Sequence, residues 1–185
     1  MTDMAPALKQ PMPRRMNPVV MAIIMIIPLF VVLGLGLALI EANRAQITNG
    51  PAPDFQLKTY DGEDFILSQQ LGKIVVINFW ASWCGPCRSE AADLNALWDE
   101  YRGRGVVMIG VGYLDNEDKA LDFIKEFGVQ YLTGHDAGSL ITRTYGVSKV
   151  PETYVIDQLG NIAYYVPGTI TADQLRPVLD RLIAQ

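Results

Sequence analysis

Residues 18–40 form an uninterrupted apolar run that contains no charged and no strongly polar side chain. As a helix with a rise of about 1.5 Å per residue, the run is long enough to cross a hydrocarbon core of roughly 30 Å. Pro28 lies within it, and membrane helices tolerate proline because neighbouring groups satisfy the freed backbone atoms. We therefore predict one transmembrane helix over residues 18–40.

Two other interpretations of the run stay open. A buried helix of a soluble domain rarely contains so long an uncharged stretch. A cleaved signal peptide fits the basic residues that precede the run, but the run exceeds a typical signal core and no clear cleavage site follows Ala38. The residues around Arg14-Arg15 do not support a twin-arginine signal. The sequence favours an uncleaved anchor.

The charged residues before the predicted helix indicate its orientation in the membrane. The residues that precede it carry a net charge of +2, from Lys9, Arg14, Arg15 and Asp3. Basic residues tend to stay on the cytoplasmic side, so residues 1–17 are predicted to be a cytoplasmic tail of a single-pass protein in a bacterial cytoplasmic membrane. Residues 41–52 are then a linker and residues 53–185 an extracytoplasmic domain.

Residues 41–185 carry 12 basic and 19 acidic side chains, a net charge of −7 that argues against nucleic-acid binding.

The pattern of the remaining chain predicts an α/β domain with a central sheet flanked by helices. Two short strands around Asp61-Gly62 predict a β-hairpin. Residues 73–80 form a near-continuous apolar run rich in β-branched residues, which suits a central strand buried on both faces. The other predicted strands cover residues 106–111, 153–157 and 162–166, with a short strand within 129–136. Helices are predicted over 86–102, 115–127 and 138–145, and after residue 171.

Two helix starts carry specific signals. Asp115 is predicted to cap the helix that ends near Phe127. The inward residues predicted for that helix are Ala120, Leu121, Ile124 and Phe127. Thr171 and Gln174 have the spacing of a capping box at the start of the last helix.

Cys84 and Cys87, the only cysteines of the chain, lie where the buried strand ends and a helix begins. Unpaired N–H groups and the positive end of the helix dipole stabilise a thiolate at Cys84. Cys87 lies one turn inside the helix on its apolar stripe, so we expect it to be less exposed. A thiolate at Cys84 can attack a disulfide, and Cys87 can then resolve the mixed disulfide. The predicted redox centre is this pair itself, with no further cofactor or metal.

Alternative roles for the pair are less favoured. Two structural cysteines could lie together by chance. A zinc site needs about four ligands, whereas the chain has two cysteines and one histidine, His135, which we expect at the surface of a loop. A haem-attachment motif needs histidine at the position that Arg88 occupies. A Cys-x-x-Cys pair at the end of a strand in an α/β pattern favours redox chemistry.

Two segments carry a family resemblance. Residues 78–87, Asn-Phe-Trp-Ala-Ser-Trp-Cys-Gly-Pro-Cys, resemble the active-site segment of thioredoxins, and residues 145–157 resemble their cis-proline segment. With the hairpin and the anchor, the chain resembles the membrane-anchored thiol–disulfide oxidoreductases related to TlpA, ResA and CcmG (also called DsbE). The resemblance covers roughly residues 51–185. It implies a thioredoxin fold, with a central mixed sheet and an N-terminal β-hairpin extension.

The resemblance also implies a substrate-binding set around the cysteine pair. Pro151 is implied to be the cis-proline, packed against the pair. The backbone of Val150 is implied to bind an extended substrate segment as an added strand. Trp83, Gly85 and Pro86 complete this set. Members related to CcmG often carry other residues between the cysteines, so Gly85-Pro86 leaves the subgroup open.

Two acidic residues are candidates for proton handling. Glu90 lies on the same helical stripe as Cys87, where a carboxylate is unfavourable unless it has a role, such as raising a thiol pKa. The alternative is a surface glutamate whose stem packs on the helix. Glu152 is implied to place a carboxyl beside the active site, with a solvated loop glutamate as the alternative. Asn78 stands where thioredoxins carry a buried proton-accepting aspartate, so Glu90, Glu152 or water would replace it.

The sequence therefore predicts a thiol–disulfide oxidoreductase that works mainly as a reductant. The resemblance implies protein disulfides as substrates, apocytochrome c as the leading client, and a membrane electron donor of the CcdA or DsbD type. Two alternatives stay open. Pro53-Asp54-Phe55 and the hairpin also open peroxiredoxins, although those enzymes place threonine three residues before the reactive cysteine, and Cys84 stands there relative to Cys87. A membrane-tethered copper or thiol chaperone is the other, because two thiolates can hold Cu(I).

Overall fold

The computed structural model describes residues 17–42 and 46–185. The chain divides into two units, Met1–Arg44 and Ala45–Gln185. The predicted cytoplasmic tail lies outside the described residues, apart from Asn17. The second unit begins earlier than residue 53, because Ile47 and Ala52 pack against its core.

The described part of the first unit is a single helix, α1, at Pro18–Ala42, with Pro28 in its interior. The segment Pro18–Leu37 is long and apolar enough to cross a membrane. Its large apolar side chains are exposed, an arrangement that is unfavourable in water and favourable in lipid. The helix ends two residues beyond the predicted end, and it is a candidate membrane span.

The second unit has the predicted thioredoxin fold. The strands of its central sheet are β3 (Ile74–Trp80), β4 (Val106–Gly112), β5 (Leu132–His135), β6 (Glu152–Ile156) and β7 (Ile162–Pro167). Their order in the sheet is β5-β4-β3-β6-β7; β4 and β5 run parallel to β3, while β6 is antiparallel to both β3 and β7. The helices are α2 (Gly85–Tyr101), α3 (Glu117–Phe127), α4 (Leu140–Tyr145) and α5 (Ala172–Ile183), with 3-10 turns at Leu67–Gln70 and Ala137–Ser139.

The central strand β3 is buried along all seven of its residues, as its apolar composition predicts. Successive side chains point to opposite faces of a sheet, so β3 contributes to two cores. Ile77 and Phe79 pack with Tyr154 on one face. Val76 packs with Leu97 of α2 on the other. This double burial holds the end of β3, and therefore the segment that follows it, in a rigid frame.

The predicted hairpin is present as strands β1 (Gln56–Lys58) and β2 (Asp64–Ile66). It docks on the edge strand β5 through a bridge between Thr59 and Gly134. A side chain at Gly134 would place its Cβ 2.3 Å from the carbonyl oxygen of Lys58. Glycine is therefore required for the hairpin to approach the sheet this closely.

Helix α3 differs from the prediction. Its N-cap is Asn116, whose side chain accepts the Lys119 N–H at 3.2 Å, so Asp115 is not the cap. Ala120 is buried as predicted, but Leu121 is 42% exposed and Phe123 is buried in its place. Phe123 packs on Trp80 with ring centroids 4.6 Å apart, and this contact sets the inward face of the helix.

Two other local predictions have definite outcomes. The side chains of Thr171 and Gln174 form the predicted capping box of α5. His135 is not in a loop; it ends β5 and is half-buried, opposite Gly112 of β4. The loop prediction was wrong because the glycines around this histidine allow close strand pairing as readily as a turn.

Candidate active site

The two cysteines form a disulfide at the start of α2, with Cα atoms 5.3 Å apart. Cys84 is the N-cap residue of the helix, and Pro86 lies in its first turn. The Cys87 backbone N–H donates to the Cys84 sulfur at 3.1 Å. One of the otherwise unpaired donors of the helix start is therefore directed at this sulfur, which is the arrangement that stabilises a thiolate.

The exposure of the pair differs only slightly between its members. Cys84 is 4% exposed and Cys87 is 2% exposed, so Cys84 is less accessible in the disulfide form than the sequence suggests. The reason is that both cysteines pack with Trp80, Ala91 and Phe123 in one apolar cluster. The three sequence neighbours Trp83, Gly85 and Pro86 are open to solvent.

The exposed surface beside the pair consists of three residues of the predicted substrate-binding set. Trp83 is 60% exposed, and Gly85 and Pro86 are also exposed. The Trp83 Nε1 donates to the Leu114 carbonyl oxygen at 3.0 Å, which fixes the indole over the loop after β4. An anchored aromatic ring next to a reactive sulfur provides apolar contact area at little entropic cost.

The loop that carries Pro151 lies against the disulfide. The peptide bond between Val150 and Pro151 is cis, as the resemblance implies. The Cys84 sulfur lies 3.5 Å from the Val150 carbonyl oxygen. Val150 is half-buried, whereas Pro151 is buried and its carbonyl oxygen accepts the Gly168 N–H at 2.9 Å. The structure thus brings Cys84, Val150 and Pro151 together.

Glu90 is buried one turn along α2 from Cys87, with 1% of its surface exposed. Its carboxylate accepts hydrogen bonds from the Asn78 amide at 2.8 Å and from the Ile170 N–H at 3.0 Å. Burial raises the pKa of Glu90 to about 7, although both hydrogen bonds act to lower it. The alternative of a surface glutamate is wrong.

Asn78 links this carboxyl to the cis-proline loop. Its amide also donates to the Thr153 hydroxyl at 3.1 Å, and Asn78 and Thr153 are partners in the register between β3 and β6. An amide cannot accept a proton, so it serves here as a donor to Glu90. Glu90 is therefore the titratable group of this buried cluster.

Glu152 is buried on the other face of the sheet, at the first position of β6, with 4% of its surface exposed. Its carboxylate accepts hydrogen bonds from the Tyr165 hydroxyl at 3.1 Å and from the Gln46 side-chain amide. Burial raises the pKa of Glu152, and these two donors oppose the shift. The alternative of a solvated loop glutamate is wrong.

Several supporting residues could not be found from the sequence. Asp115 accepts hydrogen bonds from both the backbone N–H and the hydroxyl of Ser82, and so holds the segment before Cys84. Tyr165 contacts Glu152 because of the register between β6 and β7. Gln46 contacts Glu152 because of the course that the chain takes before β1. None of these three carries a local motif, since each acts through a contact distant in sequence.

A disulfide at a helix start, against a cis-proline loop and above a buried carboxyl, is the active-site arrangement of a thioredoxin-fold thiol–disulfide oxidoreductase. Comparisons with known proteins agree with this class. The sequence model of the AhpC/TSA family matches residues 48–165. The thiol-disulfide oxidoreductase ResA of Oceanobacillus iheyensis is 34% identical over 150 residues, which are 78% of each chain.

Two further relatives extend the comparison. The thiol:disulfide interchange protein HelX of Rhodobacter capsulatus is 40% identical over 61% of this chain and 62% of its own. The crystal structure of a thioredoxin-family thiol:disulfide interchange protein from Chlorobium tepidum is 27% identical, with a TM-score of 0.67, over 75% of this chain and 99% of that one. The chain belongs to the AhpC/TSA family and is a thiol–disulfide oxidoreductase of the TlpA/ResA/CcmG type.

Proposed function

We propose that Cys84 and Cys87 reduce disulfides of proteins on the outer side of a bacterial cytoplasmic membrane. The observation that carries this proposal is the position of the Cys84 sulfur, which receives the Cys87 N–H and lies against the Val150 carbonyl oxygen. The first contact favours a thiolate. The second places the sulfur beside the backbone that would hold a substrate strand.

The proposed reaction transfers two electrons. The Cys84 thiolate attacks a substrate disulfide, forms a mixed disulfide and releases the other substrate sulfur as a thiolate, which takes up a proton. The Cys87 thiolate then attacks the Cys84 sulfur and releases the second substrate thiolate. The substrate is reduced to a dithiol, and the enzyme is left with the Cys84–Cys87 disulfide.

The buried carboxyls would handle the protons of this reaction. Cys87 must lose a proton before it attacks, and Glu90 lies one turn away with a pKa of about 7, which suits a proton acceptor near neutral pH. Glu152 would place a second carboxyl beneath the cis-proline loop and modulate the acidity of Cys84. Trp83, Gly85, Pro86, Val150 and Pro151 would form the substrate-binding surface.

The location follows from the charge around α1. Three basic residues precede the candidate span, which supports a cytoplasmic N-terminus. The length of the apolar run and the lack of a clear cleavage site after it support an uncleaved anchor. The domain would then lie outside, in a compartment where disulfides persist. There the pair would need re-reduction by a membrane electron donor of the CcdA or DsbD type. The family resemblance supports apocytochrome c, whose haem-binding cysteines must be reduced, as the leading client.

Trapping tests the proposed roles of the two cysteines. Cys87→Ser should accumulate a mixed disulfide at Cys84 with its client, whereas the matched Cys84→Ser variant should trap none. Trapping by Cys84→Ser at the same level would contradict the assignment.

A redox titration of the full chain in detergent tests the direction of electron transfer. A reductant should have a potential near that of thioredoxin, about −270 mV. A potential near that of DsbA, about −120 mV, would refute the reductant role.

The family match makes peroxide reduction the rival to exclude. Position 81, three residues before Cys84, is alanine, and the neighbouring Ser82 hydroxyl is engaged by Asp115. We therefore expect no thiol-dependent peroxide consumption above the level of Cys84→Ser. Reduction of insulin disulfides that survives strict metal removal would argue against a copper chaperone.

A further inference from the structure

Gln46 connects the segment after α1 to the active site. It precedes the part of the chain that the family model matches, residues 48–165. Its side-chain amide donates to the Glu152 carboxylate and lies 3.2 Å from the Tyr154 hydroxyl. The next residue is also fixed, because the Ile47 N–H donates to the Tyr145 carbonyl oxygen at 3.3 Å. The backbone thus holds Gln46 over Glu152.

Glu152 depends on few hydrogen bonds for its buried charge. The side-chain donors to its carboxylate are the Tyr165 hydroxyl and the Gln46 amide, and the Lys149 backbone N–H is a third donor. The charged and titratable groups that face it are the Lys149 ammonium and the phenols of Tyr154 and Tyr165. A buried carboxylate that loses one of its two side-chain donors is less stable in its charged form, so it takes up a proton or turns towards water.

A short path leads from Glu152 to the reactive sulfur. Glu152 directly follows Pro151, and the Val150 carbonyl oxygen lies 3.5 Å from the Cys84 sulfur. A negative charge at Glu152, which directly follows the loop that contacts Cys84, opposes formation of a thiolate at Cys84. We therefore expect a change in the position or charge of Glu152 to alter the reactivity of Cys84.

We propose that Gln46 is a positioning residue of the active site, which holds the Glu152 carboxylate beneath the cis-proline loop and so adjusts the reactivity of Cys84. This inference rests on the proposed redox role of the cysteine pair. The side chain of Gln46 contacts Glu152 and Tyr154, so it acts on Cys84 through Glu152. The described residues that precede the hairpin thereby take part in setting the chemistry of the site.

Gln46→Met tests this role, because methionine has a similar length and provides no donor. The alkylation rate of Cys84 by iodoacetamide is measured against pH in the full chain in detergent, with Cys87→Ser so that one thiol reacts. Loss of the donor favours protonation or displacement of Glu152, so the midpoint should fall by roughly half a pH unit. Gln130→Met, at an exposed glutamine before β5, is the matched control and should leave the midpoint unchanged.

A second background separates positioning from a general loss of packing. In Glu152→Gln the carboxylate is already absent, so Gln46→Met should produce no further shift. The inference is overturned if Gln46→Met equals the Gln130 control, or if its shift is the same in both backgrounds. If Gln46→Met lowers the melting temperature so far that the protein unfolds, Gln46→Ser, too short to reach Glu152, takes its place.

The two proposals fail in different ways. If the unmodified chain does not reduce insulin disulfides, the proposed function is refuted whatever Gln46 does. If the unmodified chain reduces insulin and Gln46→Met leaves the Cys84 midpoint unchanged, only the role of Gln46 is refuted.

Discussion

Glu90→Gln should remove a large pH dependence from the stability of the oxidised protein. Glu90 is a carboxyl held away from water between Asn78 and Ile170. Glutamine has the same shape and carries no charge. If the Asn78 side chain turns over, its oxygen can accept from the new amide and from the Thr153 hydroxyl, and any cost of this rearrangement is the same at every pH.

The magnitude follows from the pKa of Glu90. Its value is about 7 in the folded protein, against 4.5 for an exposed glutamate. A difference of about 2.5 units corresponds to about 3 kcal/mol. Because the folded pKa is raised, this stability is fully present below pH 4.5 and is lost as the pH rises through about 7. For a protein of ordinary stability, about 5–15 kcal/mol, the loss is substantial.

Chemical denaturation of the oxidised full chain in detergent measures the effect between pH 4.5 and pH 8. The difference in unfolding free energy between the two proteins should change by about 3 kcal/mol across this range, in favour of Glu90→Gln at high pH. Groups other than Glu90 titrate in both proteins, so their contributions to the unfolding free energy cancel in the difference. Parallel pH profiles would show that Glu90 is not desolvated, and would remove the basis for its role as proton acceptor.

Three other substitutions should have distinct effects. Gly134→Ala should destabilise the protein by about 1–3 kcal/mol in denaturant, because its Cβ would lie 2.3 Å from the Lys58 carbonyl oxygen. Asp115→Ala should cost about 1–3 kcal/mol, since it leaves the Ser82 N–H without its acceptor, and should slow insulin reduction; unchanged stability would refute the role of this contact. Trp83→Ala should leave the melting temperature nearly unchanged but lower kcat/KM for protein disulfides more than for a small aromatic disulfide, because the exposed indole offers contact area to a protein substrate.

The elements with strong local signals were predictable from the sequence. Strand β3 is predicted by an apolar run that is too short for a membrane helix and too continuous for a half-exposed strand. The start of α2 follows from Pro86 after that strand, and it locates Cys84 at a helix N-terminus. The burial of Glu90 follows from its place on the apolar stripe of α2.

The inward face of α3 shows where local periodicity fails. Leu121 and Phe123 both fit a helical stripe within the tolerance of the pattern. The choice between them depends on Trp80, which offers an aromatic surface to Phe123. That surface belongs to another element, so no pattern within α3 could reveal it. The same reason explains why Asp115 binds Ser82 rather than capping the helix.

The register between β3 and β6 places the two buried carboxyls on opposite faces of the sheet. Asn78 pairs with Thr153 and Phe79 pairs with Glu152, so adjacent residues of each strand point to opposite sides. The Thr153 side chain then faces Glu90 and Asn78. The Glu152 side chain faces Tyr165 and Gln46 on the opposite side of the sheet. Both carboxyls are coupled to the same short loop and are shielded from each other by the sheet. The two carboxyls therefore lie in separate environments: burial raises the pKa of Glu90 to about 7, while hydrogen bonds from Tyr165 and Gln46 oppose the rise in pKa that burial causes at Glu152.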